Sequence, residues 1–145
     1  MEPPRSAQQR KSDTMTRLAS DEDAWIATGD TDGNGYLVPL SFLWDGAGLV
    51  IATPRSSVTG RNLSRGGRVR VGVGELRDVT MIEGTAELVT DERTMDAFAA
   101  KNGWDPRGEN GDYAYFRVVA DRVQAWREAN ELPGRTLMRD GEWLA

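Results

Sequence analysis

Apolar residues in this chain come in strand-sized runs, and each run is broken by residues that make turns. Leu37–Trp44 and Leu49–Ala52 are the longest such stretches, with Asp45–Gly48 between them. An Asp-Gly step supplies the positive φ angles of a tight hairpin, so this region reads as two antiparallel strands, Tyr36–Trp44 and Leu49–Thr53. Pro39 inside the first makes it an edge strand or a bulged one. Ala24–Gly29 precedes them as another strand. Arg68–Val73 alternates arginine with valine, the period of a half-buried strand. Asp78–Val89 is longer, with a bulge expected at Gly84. Tyr113–Val119 and Arg122–Glu128 follow as two strands, and Thr136–Leu144 as a small hairpin turning at Asp140-Gly141.

Helical spacing is confined to short segments. Ser56–Ser64 reads as a helix stopped by Gly66-Gly67, and Asp91–Lys101 as another carrying Met95, Phe98 and Ala99. A first helix capped by Ser12 or Asp13 would carry Met15, Leu18 and Ala19 on one face. Residues 1–12, with two prolines and mixed charge, read as a flexible tail, and 13–145 as one domain. Six to seven antiparallel strands with hairpin connections and few helices give a mainly β fold. The expected architecture is a closed or split β-barrel with peripheral helices, because barrels hide their strand edges.

Composition narrows the chemistry. The 145 residues include no cysteine and no histidine. Disulfides, thiolate metal sites, histidine-bound zinc and a Ser-His-Asp triad are therefore excluded. A reaction here must use carboxylates, arginines, hydroxyls or a bound cofactor. No apolar stretch is long enough to span a membrane, and the first residues lack the apolar centre of a secretory signal. A net charge of −5 argues against non-specific nucleic-acid binding, so the expected setting is cytoplasmic.

Several local patterns invite a functional reading. Asp30-Thr31-Asp32-Gly33-Asn34-Gly35 fits the opening of a calcium-binding EF-hand loop, but the twelfth position is Ser41, not Glu, and the flanks read as strands. A plain hairpin turn accounts for it, and no metal site is expected. Asn62-Leu63-Ser64 and Arg65-Gly66-Gly67 match a glycosylation acceptor and a single RGG step; with no signal peptide the first has no use, and the second reads as a helix end. Glu83 and Glu87 share one strand face and read as solvated. Trp126 reads as core or as a flat surface against a ring system, with core favoured.

The basic run is more informative. Gly46–Gly74 holds Arg55, Arg61, Arg65, Arg68 and Arg70 and no acidic residue. A strand ending at Thr53 leads through Pro54-Arg55-Ser56-Ser57 into a helix start, where free N–H groups and the hydroxyls of Ser56, Ser57 and Thr59 suit an anion. Arg61 and Asn62 lie one turn further on. Residue content alone leaves phosphate binding and a solvated basic face both open.

The ordered series LVPLSFLWDG (37–46), LVIATPRSSVTGRNL (49–63), GRVRVGVG (67–74) and TMIEGTAELV (80–89) resembles the pyridoxamine 5'-phosphate oxidase-like family of FMN-binding split barrels. RVQAWRE (122–128) and the Leu137–Leu144 tail are similar to members too, so the likeness covers roughly residues 15–145. The resemblance implies a homodimer with two cofactor sites at the subunit interface, holding FMN or the deazaflavin F420. Val38, Pro39, Leu40 and Ser41 would lie along the isoalloxazine ring. Thr53 and the Ser57–Asn62 helix start, including Thr59 and Arg61, would hold the phosphate. The second subunit would supply residues near Arg77 and Trp126. Many relatives carry Lys where this chain has Thr59, so either Arg55 or Arg61 replaces the cation or the phosphorylated cofactor is held more weakly.

The resemblance thus implies an FMN-dependent oxidoreductase, passing hydride through flavin N5 to or from a small-molecule substrate, with NAD(P)H a candidate donor. No catalytic side chain is named. Two alternatives share the fold: an F420-dependent reductase, and a non-enzymatic flavin- or haem-binding module.

Overall fold

A computed structural model describes residues 1–145. The turn at 45–48 forms as its residues dictate: Asp45 Oδ1 accepts from the Ala47 and Gly48 amides, and Gly46 takes φ 88°. The strands on either side are β2 (Gly35–Trp44) and β3 (Leu49–Pro54), preceded by β1 (Asp23–Gly29). Beyond them come β4 (Arg68–Glu75), β5 (Asp78–Val89) and β6 (Tyr113–Trp126). Neighbours run β3-β2-β1-β4-β5-β6, and β3 also pairs with β6, which closes a six-stranded antiparallel barrel. The short strands β7 (Thr136–Arg139) and β8 (Glu142–Trp143) extend the sheet beyond β6, with Asp140 at φ 53° and Gly141 at φ 79° in their turn. The expected mainly β barrel is the fold observed.

Two expectations are corrected. The segments 113–119 and 122–128 are one strand, because Asp121 is absorbed as an extra residue: Glu83 pairs with Arg122, and Gly84 with Ala120. Gly84 marks this register shift for a steric reason. A Cβ there would stand 2.0 Å from the Val119 carbonyl oxygen, so only glycine permits the close approach. The second correction concerns the N-terminus. Helix α1 runs Ala7–Ser20, capped by Ser6 rather than by Ser12 or Asp13. Residues 7–12, read from composition as tail, are its first turns. Their inward stripe is Arg10, Thr14 and Leu18, and Ala19 faces out. A buried arginine on that stripe hid the helical period from a hydrophobic pattern.

Helix α2 (Val58–Ser64) touches β1, β2, β3 and β5 across one barrel end, and α3 (Glu92–Asn102) covers the outside near β2. The barrel interior holds Ile26, Phe42, Ile51, Val71, Ile82, Val118 and Val123, closed by Leu18 from α1. A second, smaller cluster joins Val50, Ala52, Val89 and Tyr115 to Phe98 of α3. Burying Phe98 there contributes roughly 2–3 kcal/mol, enough to dock a helix of three turns. No helix is long and apolar enough to cross a membrane.

Candidate functional site

Ser57 organises the start of α2. Its hydroxyl accepts from the Gly60 amide at 3.0 Å, donates to the Pro54 carbonyl at 2.7 Å and meets Thr53 Oγ1 at 3.0 Å. The Ser57 amide donates to Pro54 and the Arg61 amide to Ser57, which leaves the Val58 and Thr59 amides as first-turn donors without an acceptor. Gly60 lets this turn sit hard against its approach, since a Cβ there would lie 2.3 Å from the Pro54 oxygen.

The five arginines of the basic run divide clearly. Arg55 pairs with Asp112 at 3.0 Å, Arg68 with Asp121, and Arg70 with Glu83 at 2.7 Å. Arg61 and Arg65 have no carboxylate partner within 4.0 Å; both belong to α2 or its cap. Arg61 Nη1 rests on the Ser56 carbonyl at 3.1 Å, and Arg65 on Asn62 Oδ1 at 2.5 Å. The bland reading, a basic face neutralised by neighbours, therefore holds for three positions and not for these two. Glu83 is likewise not simply solvated: it stands between Arg70 and Arg122.

Thr59 and Asn62 are buried, at 2% and 4% exposure. Asn62 Nδ2 donates to Thr28 Oγ1, tying α2 to β1. Thr53 is buried as well.

On β2, geometry sorts the four expected residues into two kinds. The Phe42 amide donates to the Glu22 carbonyl on the β1 side. By alternation the backbone groups of Val38 and Leu40 also face β1, while those of Pro39 and Ser41 face away. That other side is open, because β3 pairs only with Phe42–Trp44. Val38 and Leu40 place their side chains against the barrel core. Pro39 lies in register with the exposed Trp25, and Ser41 with Asp23, so both are on the outer face.

Arg77 and Trp126 meet at a cavity of 420 Å³ that Leu76, Glu128 and Leu132 also line. Arg77 donates to Glu128 at 2.9 Å, and Trp126 pairs with Val79 across β5 and β6. Trp126 is half-buried, not core. Beside it a larger apolar cavity of 540 Å³ is lined by Trp25, Leu37, Leu76, Val79 and Met81. Sequence reasoning reached Val79, as a neighbour of Arg77, and missed the other four. The available signal was Trp25, an aromatic on the strand face opposite Ala24 and Ile26.

Thus Thr53, Ser57, Thr59, Arg61 and Asn62 come together at one barrel end, while Arg77 and Trp126 stand at the other. Along β4 the two ends are six residues apart, from Val69 beside Gly84 to Glu75 beside Asp78, or about 20 Å. The Asp30–Gly35 segment is a turn in which Asp30 Oδ1 accepts from the Asp32 and Asn34 amides, and no acidic cluster able to hold a metal forms anywhere.

Comparison with known proteins fits this description. The chain superposes on general stress protein 26 from Bacillus anthracis with a TM-score of 0.68 at 20% identity, covering 81% of this chain and 95% of that one. A conserved hypothetical protein from Mycobacterium tuberculosis gives 0.68 at 20% identity, covering 83% and 86%. An F420 reductase gives 0.63 at 18%, covering 74% and 93%. At such identities the likeness establishes the fold. No curated protein matches the sequence. The sequence profile described as pyridoxamine 5'-phosphate oxidase matches residues 14–131, and the chain belongs to that family.

Proposed function

We propose that this protein is an FMN-dependent oxidoreductase acting as a homodimer on a small-molecule substrate. The observation that carries the reading is the division within the basic run: of its five arginines only Arg61 and Arg65 lack a carboxylate, and Arg61 reaches back to the Ser56 carbonyl beside the first turn of α2. That donor set suits a phosphate monoester. Thr59 is buried, backbone included, so Val58 is the exposed residue of that first turn. Arg61 is the nearest replacement for a cation at that position.

When bound, the flavin supplies hydride transfer through N5. The chain's residues bind and orient. The Pro39 carbonyl and the Ser41 amide offer one acceptor and one donor along the open β2 edge, and the apolar outer face around Trp25 excludes water. Arg77 and Trp126 lie too far from α2 to share its ligand within one chain, which is the reason for proposing that a second copy brings them. F420 is the second reading, favoured by fold likeness to an F420 reductase. Its longer acidic tail calls for outward-leading cations, yet Arg68 and Arg70 are already bound to Asp121 and Glu83, so FMN is preferred.

The test is the visible spectrum after incubation with FMN and desalting. Retained two-banded flavin absorption is expected, together with weaker binding on titration of a Ser57→Ala/Arg61→Ala variant whose circular dichroism is unchanged. Loss of both FMN and F420 on desalting overturns the reading. Turnover with NAD(P)H separates an enzyme from a carrier.

A further inference from the structure

Glu131 is a carboxylate with 2% exposure, on a single 3-10 turn (Ala129–Glu131) just after β6. Every lone-pair direction it presents is used. Oε2 accepts from the Arg5 amide at 2.8 Å and from Arg5 Nε at 2.9 Å. Oε1 accepts from Arg5 Nη2 at 2.8 Å and from the Arg127 amide at 2.9 Å. Arg10, itself buried, donates to the Glu131 and Ala125 carbonyls at 2.9 and 3.1 Å. One residue further out, Asn130 Nδ2 donates to the Glu2 carbonyl.

The other side of the same short segment is the Trp126–Glu128 rim described above. It is fixed to β5 through Val79, through Arg77 and through Asp78, which accepts from Arg127 Nε at 3.3 Å. The Arg127 amide has Glu131 as its acceptor, so the backbone of the rim at that residue is set by where Glu131 is held. A buried ion cluster is a poor device for stability alone, because apolar residues of similar volume would do as well. What it supplies is direction: four N–H groups on two oxygens fix residue 5 against residue 127.

We propose that the N-terminal segment is a strap, with Glu131 and Arg5 as positioning residues that order the Arg77–Trp126 rim. The strap acts on rim geometry whether or not a flavin binds; its consequence for the cofactor rests on the function proposed above. The test uses the full-length chain and its Arg5→Ala and Arg5→Lys variants, in hydrogen-exchange mass spectrometry and FMN titration. In Arg5→Ala, exchange across 75–79 and 126–132 rises at least tenfold while β1–β3 keep wild-type rates. The FMN Kd rises fivefold or more, and Arg5→Lys recovers part of both effects. Unchanged exchange at 126–132, or a rise confined to residues 1–10, overturns the proposal. A loosened rim in a chain that holds FMN as tightly as wild type upholds the strap and overturns its consequence for the cofactor. A wild-type chain that fails to hold FMN removes the flavin reading, and the exchange result alone then decides the strap.

Discussion

The two ends of the barrel are built by different means. At the α2 end, the contacts that shape the start of the helix are local: Thr53, Pro54, Ser57, Gly60 and Arg61 span nine residues, and only Asn62 reaches across, to Thr28. At the other end, the rim between Arg77 and Trp126 is tied through the Arg127 amide to Glu131 and so to Arg5, which are 126 residues apart in sequence. A locally specified site forms whenever its segment folds. A site specified by long-range ion pairs forms only when both termini have reached the barrel. The first end is therefore robust and the second conditional.

Removing Glu131 breaks the comparison most severely. Glu131→Ala leaves Arg10, 3% exposed, without its carboxylate, and loss of one partner from a buried pair costs about 3–5 kcal/mol. Chemical denaturation is expected to show that loss, with α2 unaffected in the remaining folded protein. Acid reveals the same group more gently. The Arg5 guanidinium and the amides of Arg5 and Arg127 hold the Glu131 carboxyl at about 2, below its ordinary 4.5. Because the folded value is depressed, the stabilisation is full above pH 4.5 and drains away as pH falls toward 2, to a total of roughly 3 kcal/mol. Glu131→Gln flattens that part of the curve of unfolding midpoint against pH; a curve superposing on wild type refutes the assignment. Gly60→Ala probes the opposite end with a smaller effect. Alanine gains about 1 kcal/mol of helix propensity, but its Cβ meets backbone oxygen at 2.3 Å, and overpacking costs about 1–3 kcal/mol. A net loss of up to about 2 kcal/mol is expected, together with weaker FMN binding. A stabilised Gly60→Ala would show that the Pro54–Arg55 approach yields easily.

Legibility in the sequence follows the same division. The hairpin at Asp45–Gly48 and the Gly66-Gly67 stop depend on neighbours within a few residues, and both are readable from residue type; the helix between, expected from Ser56, starts at Val58, with Ser57 as its cap. The unity of β6 was not, because Asp121 looks like a break until Arg68 is seen to pair with it from another strand. The inward arginine of α1 was not, because its acceptors lie at Ala125 and Glu131. At the site, the hydroxyls and arginines on which the proposed anion site rests were readable, whereas the burial of Thr59 was not. A threonine side chain gives no sign of which way its helix turns until the barrel end beneath it is known.

Pro39 has one more consequence. The free edge of β2 between Gly35 and Ser41 is the kind of surface on which a foreign strand adds and aggregation begins. Proline placed with its nitrogen toward that edge offers an incoming strand no donor and interrupts the ladder at its midpoint. The edge can thus stay open to a compact planar ligand, which needs only a few hydrogen bonds, while refusing a peptide, which needs an unbroken row of them.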